Sequence, residues 1–297
     1  MALTLPKNRD LPVCSDPSSL EGLNWLWCYL TTAKHMKFYL SFGTVILLLV
    51  STVPFIVMFG FLGALARRAP FAPLRWFGLA YTSMVRGVPD IAFFLFVPIA
   101  LDQFVELVRH KVKCPDVLEP IYQGNDFVVC TAAKMPLSAS PQWLHQAWGL
   151  TLAITAFAIV FGAFAANIIH GALTAVPKNQ LETAKAYGMT DSQTFWRIHM
   201  PQMWVYALPG LSNLWQILVK ASPLLFLLGI EEIVYWAREL GGTKPSVFTY
   251  PHGDWRMWYF LALLVFYLFL TWGSQKAFEW LENRLAKGTS TVQGRSA

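Results

Sequence analysis

The chain has 297 residues, 55% of them hydrophobic and only 13% charged, with a mean hydropathy of +0.44. Soluble domains carry about 25% charged residues, and here the apolar residues come in long blocks rather than amphipathic stripes, which excludes a water-soluble fold. The net charge of +6 lacks the basic, aromatic-interleaved stripe of a nucleic-acid binder, and orientation in a bilayer accounts for it more simply.

Residues 1–20, within the N-terminal segment 1–37, contain no apolar core of a signal peptide, so the first span is expected to direct insertion itself. Within that segment, Leu20, Leu23, Trp25, Leu26, Trp27 and Tyr29 form a cluster suited to the membrane interface. A span needs about 20 apolar residues. Segments 38–65, 76–104 and 147–173 qualify, 203–219 is a shorter candidate carrying Pro209, and 257–272 is the last, extended toward residue 278. The expectation is an all-α integral membrane protein with about five spans in a domain over 38–278. The stretch 221–230 is too short to cross and is expected to be re-entrant or interfacial.

Five spans put the termini on opposite sides. With the N-terminus outside, the inner segments 63–75, 174–202 and 276–297 carry 10 basic residues in 64, against 12 in 116 for the outer ones. Density, though not raw count, favours this orientation. All four cysteines then face outside, where an oxidising compartment permits disulfides. Pairing within each segment, Cys14 with Cys28 and Cys114 with Cys130, is the natural arrangement, and four free thiols are the alternative. No Cys or His spacing resembles a zinc site. Residues 105–146 form a long outer loop, and 279–297 a charged inner tail ending in a polar stretch.

The informative stretch lies between the third and fourth spans, at 174–202. It is polar and helix-forming, with a helix expected over about 179–187. Gly188 stands where a left-handed residue ends a helix, and Thr190 or Asp191 is placed to cap a second helix over 192–199, which Pro201 ends. Loops in compact proteins are usually far shorter.

This pattern resembles the EAA loop of ABC importer permeases. Glu182, Ala184, Gly188, Ile198 and Pro201 fall at the motif's spacing, with Thr183 at its middle alanine. The likeness continues in Gly171-Ala172-Leu173, Val176-Pro177 and Gln180-Leu181-Glu182, and in Leu208-Pro209, Leu211, Asn213 and Lys220. In the second span, Tyr81 and Arg86-Gly87-Val88-Pro89 are similar to the family's RGTP element. Together these point to the polar amino-acid branch, the histidine/arginine/glutamine-type permeases.

The resemblance implies a type I importer transmembrane domain in the bacterial inner membrane. It implies three partners: a cytoplasmic ATPase dimer gripping each EAA loop as a coupling helix, a second permease subunit, and a periplasmic amino-acid-binding protein. It implies no cofactor on this chain, ATP and Mg²⁺ acting on the ATPase. The chain itself has no GxxxxGK[ST] phosphate loop, HExxH or nucleophile elbow. An ion-gradient-driven secondary transporter is the alternative, but such folds show repeats that are not visible here.

Ionisable residues within spans are functional candidates. Arg86 and Asp90 lie four apart and are expected on one helix face, with Pro89 kinking the helix between them. They either line the pathway or pair structurally. Asn167 and His170 stand where the family has Glu and Arg, so this subunit lacks a carboxylate to meet a cationic substrate. A heterodimeric pore, or a substrate that is not cationic, follows. His170 has no second metal ligand in helical register. Lys220 matches the family lysine, but Ala221-Ser222-Pro223 replaces the residues that follow it. Glu231 and Glu232 resemble the end of that outer segment, or are simply a solvated acidic pair.

Overall fold

Long apolar runs satisfy their backbone polar groups internally only as helices, and helices dominate the computed structural model. It describes residues 14, 20–87, 89–117, 130–137, 139–228 and 230–286. Among them the α-helices are α1 (Gly22–Leu30), α2 (Ala33–Arg67), α3 (Ala72–Gly87), α4 (Asp90–Lys113), α5 (Gln142–Ala175), α6 (Lys178–Ala186), α7 (Asp191–Thr194), α8 (Met200–Ala221), α9 (Ile233–Gly241) and α10 (Arg256–Ala286). Four are long and apolar enough to cross a membrane: α2, α5, α10 and α4 from Ile91. The 22 residues of α8 rise about 33 Å, enough to cross a hydrocarbon layer of about 30 Å. The expected short fourth span is thus a full-length helix.

The segment expected as one span over 76–104 folds as two helices. Gly87 ends α3, and Pro89, in an extended conformation, caps α4. Proline fixes φ, and the residue before it is pushed out of the helical region. Arg86 and Asp90 therefore belong to different helices and do not share one helix face as expected. Their side chains lie outside the described residues. So do residues 1–13, 15–19, 118–129 and the tail 287–297.

Two compact units divide the chain. The larger comprises 50–221 and 271–297, and α5 is its centre, packed on α3, α4 and α8. Small residues let the backbones approach, as in membrane helices generally. Ala163, Ala165 and Ala166 are fully buried, and a Cβ on Gly60 would stand 2.7 Å from that of Ala165. Phe94 and Phe161 stack at 5.5 Å, with Phe157 edge-on to Phe94. Tyr81 on α3 donates to the Ile159 carbonyl on α5, 2.6 Å away. In the segment 105–146, Cys114 and Cys130 are joined as a disulfide, and the backbone N–H of Cys130 donates to His110 Nδ1 at 2.9 Å.

The smaller unit comprises residues up to Leu49 and 222–270. A disulfide joins Cys14 to Cys28, and the cluster around it contains Tyr29 and Tyr250, with Trp25 and Trp255 packed against them. On α1, Leu23 and Trp27 stay exposed. The expected re-entrant stretch is a 3-10 helix, Ser222–Leu228.

Glu232 is not a solvated acid. It is 1% exposed and caps α9, its Oε1 accepting from the N–H groups of Val234 and Tyr235 at 2.9 and 3.2 Å. Burial pushes its carboxyl up to about 7, against the lowering effect of those bonds. Between the ordinary value of 4.5 and about 7, the folded chain holds a proton that the unfolded chain has released. Stability therefore falls as pH rises through that window, by about 3 kcal/mol in all. Glu232→Gln should remove this dependence, giving a thermal midpoint in detergent higher than wild type at pH 8 and equal to it at pH 4.5.

Candidate functional site

The loop between α5 and α8 is built by its prolines, its glycine and its caps. Val176 leaves α5 in an extended conformation, and Pro177 precedes α6. On α6, Leu181 packs on a core cluster containing Ile169, Leu173, Met200 and Met203, Ala184 is buried, and Glu182 and Lys185 face outward. The helix stops in a Schellman motif. The N–H of Gly188 donates to the Lys185 carbonyl at 2.9 Å, and that of Met189 to Ala184 at 3.1 Å. This geometry needs a left-handed residue, and Gly188 has φ +82°.

The chain restarts with a complete capping box. Thr190 Oγ1 accepts from the Gln193 N–H at 3.3 Å, and the Gln193 side chain accepts from the Thr190 N–H at 3.0 Å. Lys185 and Asp191 pair across the corner at 2.6 Å, and the lysine's hydrogen bond and charge hold the Asp191 carboxyl below the usual carboxylate range. Both groups are exposed, so the pair adds little stability.

The second helix does not end at Pro201. From α7 it passes through one π-helical segment, Phe195–His199, straight into α8. Proline at 201 offers no N–H to the carbonyl four residues back, at Arg197, and its ring crowds that carbonyl. A widened turn just before it relieves both. One uninterrupted helix therefore runs over 191–221, and loop helix and span are one body.

Ala184 and Ile198 are brought together as walls of an open cleft of roughly 380 Å³, with Thr183, Tyr187, Met189 and Gln202. Tyr187 is 83% exposed and Trp196 63%. Glu182 is exposed and has no partner among the described residues. Chemically, this surface offers an anionic group, two projecting aromatic rings and a mostly apolar recess. It holds no nucleophile–base pair.

The residues expected in the pathway are not gathered into one site. Asn167 on α5 bridges helices: its Oδ1 accepts from Arg67 at 2.8 Å, and its Nδ2 donates to the carbonyls of Thr82 and Ala163 at 3.0 and 3.2 Å. His170 lies one turn along, within electrostatic reach of Arg67 and Arg68. Lys220 is exposed in the last turn of α8. Pro89 caps α4. Sequence reasoning missed Arg67, whose position at the end of α2 gave no sign that it reaches α5. It also missed His199, which donates from Nε2 to the Leu173 carbonyl. The signal for His199 was Pro177, which deprives that carbonyl of its helical donor.

Asn167→Leu should cost about 2–4 kcal/mol, because it leaves the Arg67 guanidinium and the Thr82 carbonyl without their partner. Asn167→Glu should cost less, since a carboxylate meets the guanidinium. Thermal midpoints of the purified chain would rank the two.

Residues 56–287 match the family of binding-protein-dependent transport system inner membrane components. The chain belongs to that family: it is a multi-pass inner-membrane permease subunit of an ABC importer, a class that works with an ATPase and a binding protein on other chains. It is 29% identical over 243 residues to the histidine/lysine/arginine/ornithine transport system permease protein HisQ of Salmonella typhimurium, covering 81% of this chain and 90% of that one. The arginine ABC transporter permease protein ArtQ of Escherichia coli is 28% identical over 209 residues, covering 70% and 77%. The octopine transport system permease protein OccQ of Agrobacterium tumefaciens is 28% identical over 232 residues, covering 78% and 83%. The fold is that of a solved amino acid ABC transporter with histidines (TM-score 0.59, 20% identity, 84% of this chain and 94% of that one). The ion-gradient alternative finds no support.

Proposed function

We propose that this chain, with a second and different permease subunit, forms the pathway for a polar or charged amino acid, or a related opine, delivered by a periplasmic binding protein. The observation that carries the reading is the helix–glycine–helix loop, rigidly capped and continuous with a span, with Glu182, Gly188 and the Ala184–Ile198 cleft on its surface. The loop is the seat of the ATPase, on the cytoplasmic side, which puts the N-terminus and both disulfides outside. Glu182 meets a basic residue of the ATPase groove. Within the domain 38–278, Arg86, Pro89, Asp90, His170 and Lys220 stand as pathway candidates. Asn167 is neutral where the family has a carboxylate and is tied to Arg67, so the carboxylate facing a cationic substrate comes from the partner permease.

The test is purification from the native membrane in mild detergent with mass spectrometry of the associated chains, followed by reconstitution with labelled arginine, histidine and octopine. The expected result is an ATPase, a second related permease, and ATP-dependent uptake of at least one of the three. A chain that purifies alone and takes up substrate on an ion gradient would sink the reading.

A further inference from the structure

Leu173 lies in the last turn of α5, and the residue four further on is Pro177, which has no N–H to give its carbonyl. The missing donor comes from the far arm of the loop. His199 Nε2 lies 2.8 Å from the Leu173 oxygen, in a buried contact. Since the partner is a carbonyl, Nε2 carries the hydrogen. The imidazole is 7% exposed, and its ring meets Phe195 edge-on at 5.8 Å. His199 is the last residue of the π-helical segment, which is frequently where function shapes a helix.

We propose that His199 is a positioning residue for energy coupling. Its bond ties the end of α5 to the helix over 191–221, so that a displacement imposed on the loop by the ATPase moves the central helix α5 together with α8. The assignment rests on the importer reading of the loop. Without the donor the two helix ends slip past one another, and ATP is hydrolysed without uptake.

The experiment uses the whole transporter, reconstituted with its binding protein, with ATP hydrolysis and uptake of labelled amino acid followed in the same vesicles. Three variants are compared: His199→Leu removes the donor, His199→Gln places an amide N–H at similar reach, and His199→Asn is too short. All three should hold the ATPase. Uptake per ATP should fall about fivefold or more in the Leu and Asn variants, the loss of one buried hydrogen bond, and return to about the wild-type ratio in Gln. A purely structural role would lower the amount of assembled complex and leave that ratio unchanged. Normal coupling in the Leu and Asn variants, or assembly failing in all three, overturns the proposal. Uncoupling in all three, Gln included, overturns the hydrogen-bond assignment. A wild-type chain that holds no ATPase overturns the importer reading and this proposal with it, whereas the other outcomes leave that reading intact.

Discussion

Gly188→Val is expected to strip the ATPase from the purified chain and to reduce uptake at least about tenfold, while the chain still accumulates in the membrane. A Cβ at this position meets nothing within 4 Å, so no clash is involved. The cost is in the backbone: φ is +82°, and an L-residue there loses about 1–2 kcal/mol, more when β-branched. The loop avoids that cost by unwinding the Schellman turn, which releases two backbone bonds and re-aims α6 relative to the capping box. Gly188→Asn is the control, because asparagine visits the left-handed region readily. It should retain most of the ATPase. Equal losses in the two variants would show that the glycine matters for some reason other than its φ.

Gly162→Leu should have the larger effect on the protein itself. A Cβ there would lie 2.6 Å from the Cβ of Phe59 and 2.8 Å from the Tyr81 hydroxyl, and that hydroxyl is bonded to Ile159. Helix backbones cannot yield cheaply at such a contact, because membrane-helix association rests on close packing. A cost above about 3 kcal/mol is expected, with little or no folded chain in detergent by size-exclusion chromatography. Gly171→Leu, on the same helix with nothing within 4 Å, should leave the elution profile unchanged. Normal folding of the Gly162 variant would mean that α2, α3 and α5 are not in contact in this way.

These residues also show how much was legible in advance. Apolar length marked the helices, since a bilayer permits few other solutions, and Gly188, Thr190 and the flanking polar stretch marked the loop, because caps and left-handed turns are local chemistry. Ala184 and Ile198 carried the spacing of a known loop, and the fold places both on one cleft. What could not be read was decided at a distance or by competition between local rules. Asn167 was legible as a polar residue inside a span, but its partners, Arg67 on α2 and the Thr82 carbonyl on α3, were not. Pro201 looked like a helix terminator, but a π turn accommodated it. Pro89 looked like a kink inside one helix, and with Gly87 beside it became a break between two. Glu232 looked solvated beside Glu231 because sequence does not report burial.

The unbroken helix over 191–221 has a mechanical consequence. At 1.5 Å per residue it is a rod of roughly 45 Å that carries the Trp196 ring near one end and gives way to a 3-10 turn at the other. A rocking of about 10° around its loop end would swing the Ala221 end by roughly 8 Å, more than the breadth of an amino acid's backbone. A small rotation at the loop end is thereby amplified at the Ala221 end, and Pro209, partway along the rod, is where stiffness can be traded for reach.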